Sequence, residues 1–142
     1  MRQSRREFLK QCGGISAGAI CGGSLFLLEG CAGFRQVTYR VDADRFVVPK
    51  KEFLEFPSAV LRSPDLPAPV FIARGDDQNY SAVLLECTHR QCEVEPSGTL
   101  LICPCHGSEY SLTGEVLAPP AEKNLYRFAV STDAENIYIA AE

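Results

Sequence analysis

The sequence predicts an all-β domain, an antiparallel sandwich or barrel. Three observations carry this. Short apolar runs recur between turn signals. Tyr126, Phe128 and Val130 alternate with Arg127 and Ala129, the period of a strand with one buried face. The body of the chain contains no convincing helical pattern. In chain order, Val37–Val41 and Phe46–Val48 open the set of strands. The proline-rich stretch Pro57–Pro69 reads as a loop over the surface. Val70–Ala73 and Ala82–Leu85 follow as strands. Pro96-Ser97-Gly98 makes a hairpin bend before Leu100–Ile102. Tyr126–Val130 and Ile137–Ala140 complete the set.

Residues 1–30 read as an address rather than as part of this fold. Ser4-Arg5-Arg6-Glu7-Phe8-Leu9-Lys10 resembles a twin-arginine export signal, with adjacent arginines ahead of a Phe-Leu pair and a lysine. An uncharged run from Gln11 to Leu28 follows, rich in Gly and Ala and only moderately apolar. It is soft for a spanning helix, although just long enough to cross a bilayer. A chance Arg-Arg pair on an ordinary amphipathic helix is the plainer alternative. Leu28-Glu29-Gly30-Cys31 resembles a bacterial lipobox, which marks Cys31 for lipidation; Glu29 departs from that pattern. Lipidation at Cys31 and an uncleaved helical anchor both stay open. Either one puts the domain outside the cytoplasm, on the periplasmic side, tethered to a membrane.

Residues 31–142 are enough for one compact domain. From residue 32 onward there are ten Lys and Arg against sixteen Asp and Glu, a net of −6. The acidity is spread along the chain as a solvated surface, so nucleic acid is not an expected partner. There are no repeats and no low-complexity tract.

The chain has only two histidines, and each stands beside cysteine: Cys87-Thr88-His89, then Cys103-Pro104-Cys105-His106. Two thiolates with two imidazoles suit a [2Fe-2S] cluster in which cysteines hold one iron and histidines the other. A Cys₂His₂ zinc site is the competing reading, but zinc sites usually pair Cys with Cys and His with His. Here each box supplies one of each. Cys87-Thr88-His89-Arg90-Gln91-Cys92 and Cys103-Pro104-Cys105-His106-Gly107-Ser108-Glu109-Tyr110 resemble the paired cluster-binding boxes of Rieske proteins. The likeness is to the high-potential branch, as in the iron–sulfur subunit of cytochrome bc-type quinol oxidases, and covers roughly Val70 to Phe128.

That resemblance implies an antiparallel Rieske-type β-sandwich with a small cluster-binding subdomain, about residues 86–120, formed by two hairpin loops. It implies one [2Fe-2S] cluster, with Cys87 and Cys103 on the inner iron and His89 and His106 on the outer iron near solvent. It implies a loop-bridging disulfide between Cys92 and Cys105; two free thiols are the alternative, and an exported chain meets an oxidising compartment. Ser108 matches a serine that donates to a bridging sulfide, and Tyr110 a tyrosine that donates to a ligand cysteine sulfur. Such bonds stabilise the reduced state and raise the potential. Structural readings of both remain, a turn-ending serine and a core tyrosine. Ala118-Pro119-Pro120-Ala121 resembles the proline loop over the cluster's third side, with a plain surface turn as its rival.

Two features depart from the quinol-oxidising members. Arg90 and Gln91 stand where Leu-Gly usually follows the first histidine, and thirteen residues separate His89 from Cys103, slightly fewer than in those members. A charged tip opposes burial in an apolar docking site. The expected function is therefore a membrane-tethered electron carrier with no bond-making step of its own. It would take electrons from a cytochrome b/quinol donor or another redox protein and pass them to a c-type cytochrome. The alternatives are the small iron–sulfur subunit of a periplasmic substrate oxidase, arsenite-oxidase-like, and a ferredoxin-type carrier.

Overall fold

A computed structural model of the chain describes residues 34–77 and 79–141. The twin-arginine signal, the lipobox and Cys31 lie outside the described residues. Among those described, no helix is long and apolar enough to cross a membrane.

The fold is all-β and built from three antiparallel sheets. The base sheet holds β1 (Arg40–Asp42), β2 (Arg45–Pro49), β10 (Val130–Thr132) and β11 (Asn136–Ala140), in the order β1-β2-β11-β10. The middle sheet is β3 (Ser58–Leu61), β4 (Val70–Arg74) and β5 (Tyr80–Leu84). The third sheet runs in sequence order through β6 (Glu95–Ser97), β7 (Leu100–Ile102), β8 (Glu109–Ser111) and β9 (Val116–Ala118).

The middle sheet is buried on both faces, and the strand period sorts its side chains between two cores. Ala59, Leu61, Val70, Ile72, Ala82 and Leu84 point to one core, where Phe46, Val48, Ile137 and Ile139 of the base sheet meet them. Their neighbours Val60, Phe71 and Val83 point the other way, against Leu85, Val94, Leu101, Tyr110 and Leu125. Each large side chain so buried contributes about 1.5–3 kcal/mol. Burial on both faces explains why β4 and β5 read as continuous apolar runs rather than alternating ones. Gly114 seats the third sheet on the middle one. Its φ is +86°, and a Cβ there would lie 3.0 Å from Val83 Cγ1 and 3.2 Å from Leu125 Cβ.

Three strand expectations need correction. Pro57–Pro69 is not simply a surface loop, because Ser58–Leu61 forms β3 and buries Ala59, Val60 and Leu61. The prolines flank this run without interrupting it, so no ladder donor is lost. Tyr126–Val130 is not one strand but a crossing between sheets. The Leu84 N–H donates to Tyr126 O and the Phe128 N–H to Ala82 O, both at 2.9 Å, while β10 begins only at Val130. Tyr126 is exposed and Phe128 buried, so the expected common face is broken by the switch. Val37–Val41 likewise divides: the Val37 N–H donates to Val60 O beside β3, and β1 starts at Arg40.

Candidate metal centre

The third sheet and the loops around it present the two Cys/His boxes at one end. Both loops are closed by the same pair of backbone hydrogen bonds. In the first, the Cys87 N–H donates to Cys92 O at 2.9 Å and the Gln91 N–H to Cys87 O at 2.7 Å. In the second, the Cys103 N–H donates to Ser108 O at 2.8 Å and the Gly107 N–H to Cys103 O at 2.9 Å. The fourth residue after each leading cysteine is left-handed, Gln91 at φ 58° and Gly107 at φ 77°. A turn of that shape favours glycine, which the second loop has and the first does not.

Cys92 and Cys105 form a disulfide between the two loops. Cys87 and Cys103 are free and buried. The sulfur of Cys103 lies within 4.8 Å of both disulfide sulfurs, but those two are oxidised and offer no thiolate. The rings of His89 and His106 meet edge to face with centroids 4.9 Å apart. His106 is exposed and His89 half-buried. Nδ1 of His89 is buried and has no hydrogen-bond partner, an expensive state for a polar atom unless something binds it.

The two thiols differ electrostatically. Burial pushes the Cys87 thiol up, but the Tyr110 hydroxyl, the backbone of His89 and Arg90, and Cys103 favour its thiolate and leave it below the ordinary value. Burial and the neighbouring Cys87 push Cys103 up, against the backbone of Cys105 and His106. Burial and Cys87 also raise the Tyr110 phenol. It therefore stays protonated and available as a donor.

Tyr110 lies on β8 with its ring fully buried, and its hydroxyl is 3.3 Å from Cys87 Sγ. That hydroxyl also accepts the Thr88 N–H at 3.3 Å and sits 3.2 Å from Thr88 Oγ1. Thr88 Oγ1 in turn donates to Lys123 O at 2.7 Å. Ser108 is fully buried, and its Oγ accepts the Ala121 N–H at 3.0 Å, leaving its own proton for another acceptor. The segment Ala118–Ala121 therefore does not hang as a free turn. Ser108 holds it to the second loop, and Thr88 holds its continuation at Lys123 to the first. The peptide between Pro119 and Pro120 is cis.

All eight site residues expected of the body therefore gather at one end. Sequence reasoning missed Thr88, whose hydroxyl joins Tyr110 to the proline segment. Its partner lies 35 positions away, and a threonine between Cys and His carries no signal of that contact. It also missed the ion pair of Arg62 with Glu93, 2.6 Å long, which links the end of β3 to the residue after Cys92.

The donor set fits an iron–sulfur cluster held by two thiolates and two imidazoles: two buried free thiols, one of them lowered, and a buried imidazole nitrogen without a partner. Residues 44–129 match the family described as the Rieske [2Fe-2S] domain. The chain is 36% identical over 72 residues to a cytochrome b6-f complex iron-sulfur subunit of Synechococcus sp. (strain WH7803), covering 49% of this chain and 40% of that protein. It is 34% identical over 62 residues to the subunit of the same name from Chlorobaculum thiosulfatiphilum, covering 42% and 34%. The chain thus spans well under half the length of these curated relatives. Among solved structures it resembles the plasma membrane Rieske protein PetC3 from Synechocystis PCC 6803, with a TM-score of 0.57 and 30% identity, over 66% of this chain and 95% of that one.

Proposed function

The chain belongs to the Rieske [2Fe-2S] domain family, and from that premise we propose that it is a one-electron carrier tethered on the periplasmic face of a bacterial membrane. It takes electrons singly from quinol or another donor and passes them to a c-type cytochrome or similar acceptor. The observation that carries this reading is the convergence of Cys87, Cys103, His89 and His106 at one end, with the thiols buried and His106 exposed.

Cys87 and Cys103 would hold the inner iron of one [2Fe-2S] cluster, and His89 and His106 the outer iron. When bound, the cluster supplies reversible one-electron chemistry. The chain supplies the rest. The disulfide and the matched backbone turns hold the two loops together. The core that includes Leu85, Val94, Leu101, Tyr110 and Ala121 buries Cys87 and Cys103 away from solvent. Tyr110 donates toward Cys87 Sγ, and the free proton of Ser108 is available to a second sulfur acceptor; both favour the more negative, reduced state. Nδ1 of His89, buried and without a partner, is the ring nitrogen available to the cluster.

The names of the relatives support a partner in a cytochrome b-linked chain, and the signal-like residues 1–30 support the periplasmic location. One observation favours the second reading, a small subunit of a periplasmic substrate oxidase: Arg90 and Gln91 are exposed beside His89, where a cytochrome b crater would call for an apolar tip. The test is composition and spectroscopy of the purified protein. Equal iron and acid-labile sulfide are expected, with a reduced-state EPR signal of mixed Cys and His ligation that is lost in His89→Ala and His106→Ala. A colourless protein carrying zinc would sink the proposal.

A further inference from the structure

We propose that Arg90 makes the histidine end a docking tip for a redox protein that presents a patch of carboxylates. This rests on the electron-carrier reading and names the chemistry of the partner at that same site. The surface through which electrons pass is defined by the exposed residues Arg90, Gln91, Pro104, His106 and Gly107. Arg90 is the one cation within these two loops.

Elsewhere the arginines that approach carboxylates are paired: Arg35 with Glu52, Arg45 with Asp42, and Arg62 with Glu93. The guanidinium of Arg90 makes no ion pair and no hydrogen bond among the described residues. Glu93, three residues along the chain, is already held by Arg62. The turn carrying Arg90 is fixed by the Gln91 N–H on Cys87 O and by the disulfide one residue further on.

A partner that covers the histidines also covers this charge. Against an apolar wall the guanidinium would lose its water without replacement, which disfavours the contact. A carboxylate opposite it removes that cost and steers the encounter. The body of the domain is acidic overall, and Arg90 is an exposed cation set against that background. A partner selected by the tip is acidic at its contact and aligned by repulsion elsewhere.

The test uses two one-electron oxidants of opposite charge, hexacyanoferrate(III) and tris(phenanthroline)cobalt(III), mixed with the reduced full-length protein in stopped flow. In each reaction one electron leaves the protein and reduces the oxidant's metal by one unit. In Arg90→Glu the anionic oxidant should react more slowly and the cationic one faster. The ratio of the two rate constants should fall about tenfold at about 0.01 M ionic strength and return toward wild type at about 1 M. A change in protein potential moves both rates in the same direction and so does not mimic this result. Lys51→Glu, the same change of charge on the turn after β2, should leave the ratio within about twofold of wild type. An unchanged ratio in Arg90→Glu, or an equal fall in Lys51→Glu, overturns the docking proposal. A wild-type protein that reduces neither oxidant overturns the electron-carrier reading instead.

Discussion

Replacing Tyr110 by Phe deletes one oxygen from the buried hydroxyl beside Cys87 and leaves the ring in the core. The ring is fully buried on β8, and its strand neighbours Leu101 and Val116 are unaffected by the change. What is lost is a donor 3.3 Å from a sulfur that carries negative charge when it ligates iron. A hydrogen bond to a charged group contributes about 1.5–3 kcal/mol. For one electron, 59 mV corresponds to about 1.4 kcal/mol, so a bond formed only in the reduced state would be equivalent to about 60–130 mV. The geometry argues for the lower part of that range. Thr88 Oγ1 is 3.2 Å from the same hydroxyl and has given its own proton to Lys123 O, so it competes with Cys87 for the single Tyr110 proton. Potentiometric titration followed by EPR should therefore place Tyr110→Phe about 60 mV below wild type, with cluster content retained. The Thr88 N–H also loses its acceptor, which should lower stability by about 1 kcal/mol. An unchanged or higher potential would refute the argument that this hydroxyl donates to the ligand sulfur.

Two further outcomes follow from the geometry. Gln91→Gly should stabilise the protein by about 0.5–1 kcal/mol in thermal or urea unfolding, because it relieves a left-handed residue at the position where the sister loop has Gly107; a lower melting temperature would show that the Gln91 side chain holds the turn. Asp133 accepts from the Tyr138 hydroxyl and from the N–H groups of Asn136 and Glu135, which hold its carboxyl at about 2, below an ordinary 3.8. A lowered carboxyl stabilises the fold above its unfolded value and loses that effect as pH falls through the folded one. The melting temperature of Asp133→Asn should thus lie below wild type at neutral pH, with the gap closing between about pH 4 and pH 2; a gap independent of pH would contradict the assignment.

The candidate ligands were readable in the sequence because the two histidines and the four cysteines of the body fall in two short boxes, and the neighbouring Ser108 and Tyr110 stood at recognisable places. β4, β5, β7 and β11 were readable because burial writes itself as apolar runs. What failed was context that spacing cannot express. Prolines at both ends of β3 hid a buried strand. Tyr126–Val130 has the alternation of a strand but leaves one sheet for another, and alternation carries no record of which sheet each residue faces. Thr88 and Arg62 act through partners far along the chain, so their roles exist only once the loops have closed.

The order of strands in the base sheet has a kinetic consequence. β11, late in sequence, lies between β2 and β10, and its ladder with β2 joins residues about ninety positions apart. The third sheet, whose β7–β8 loop carries Cys103 and His106, is a simple meander of successive hairpins, each closed over a short loop. Loop closure over few residues is cheap and fast, whereas distant pairing waits on a larger loss of chain entropy. During synthesis this meander can therefore form before the strand that seals the base has emerged from the ribosome. The loop that carries Cys103 and His106 would take shape early, and the last strand would close the base afterwards.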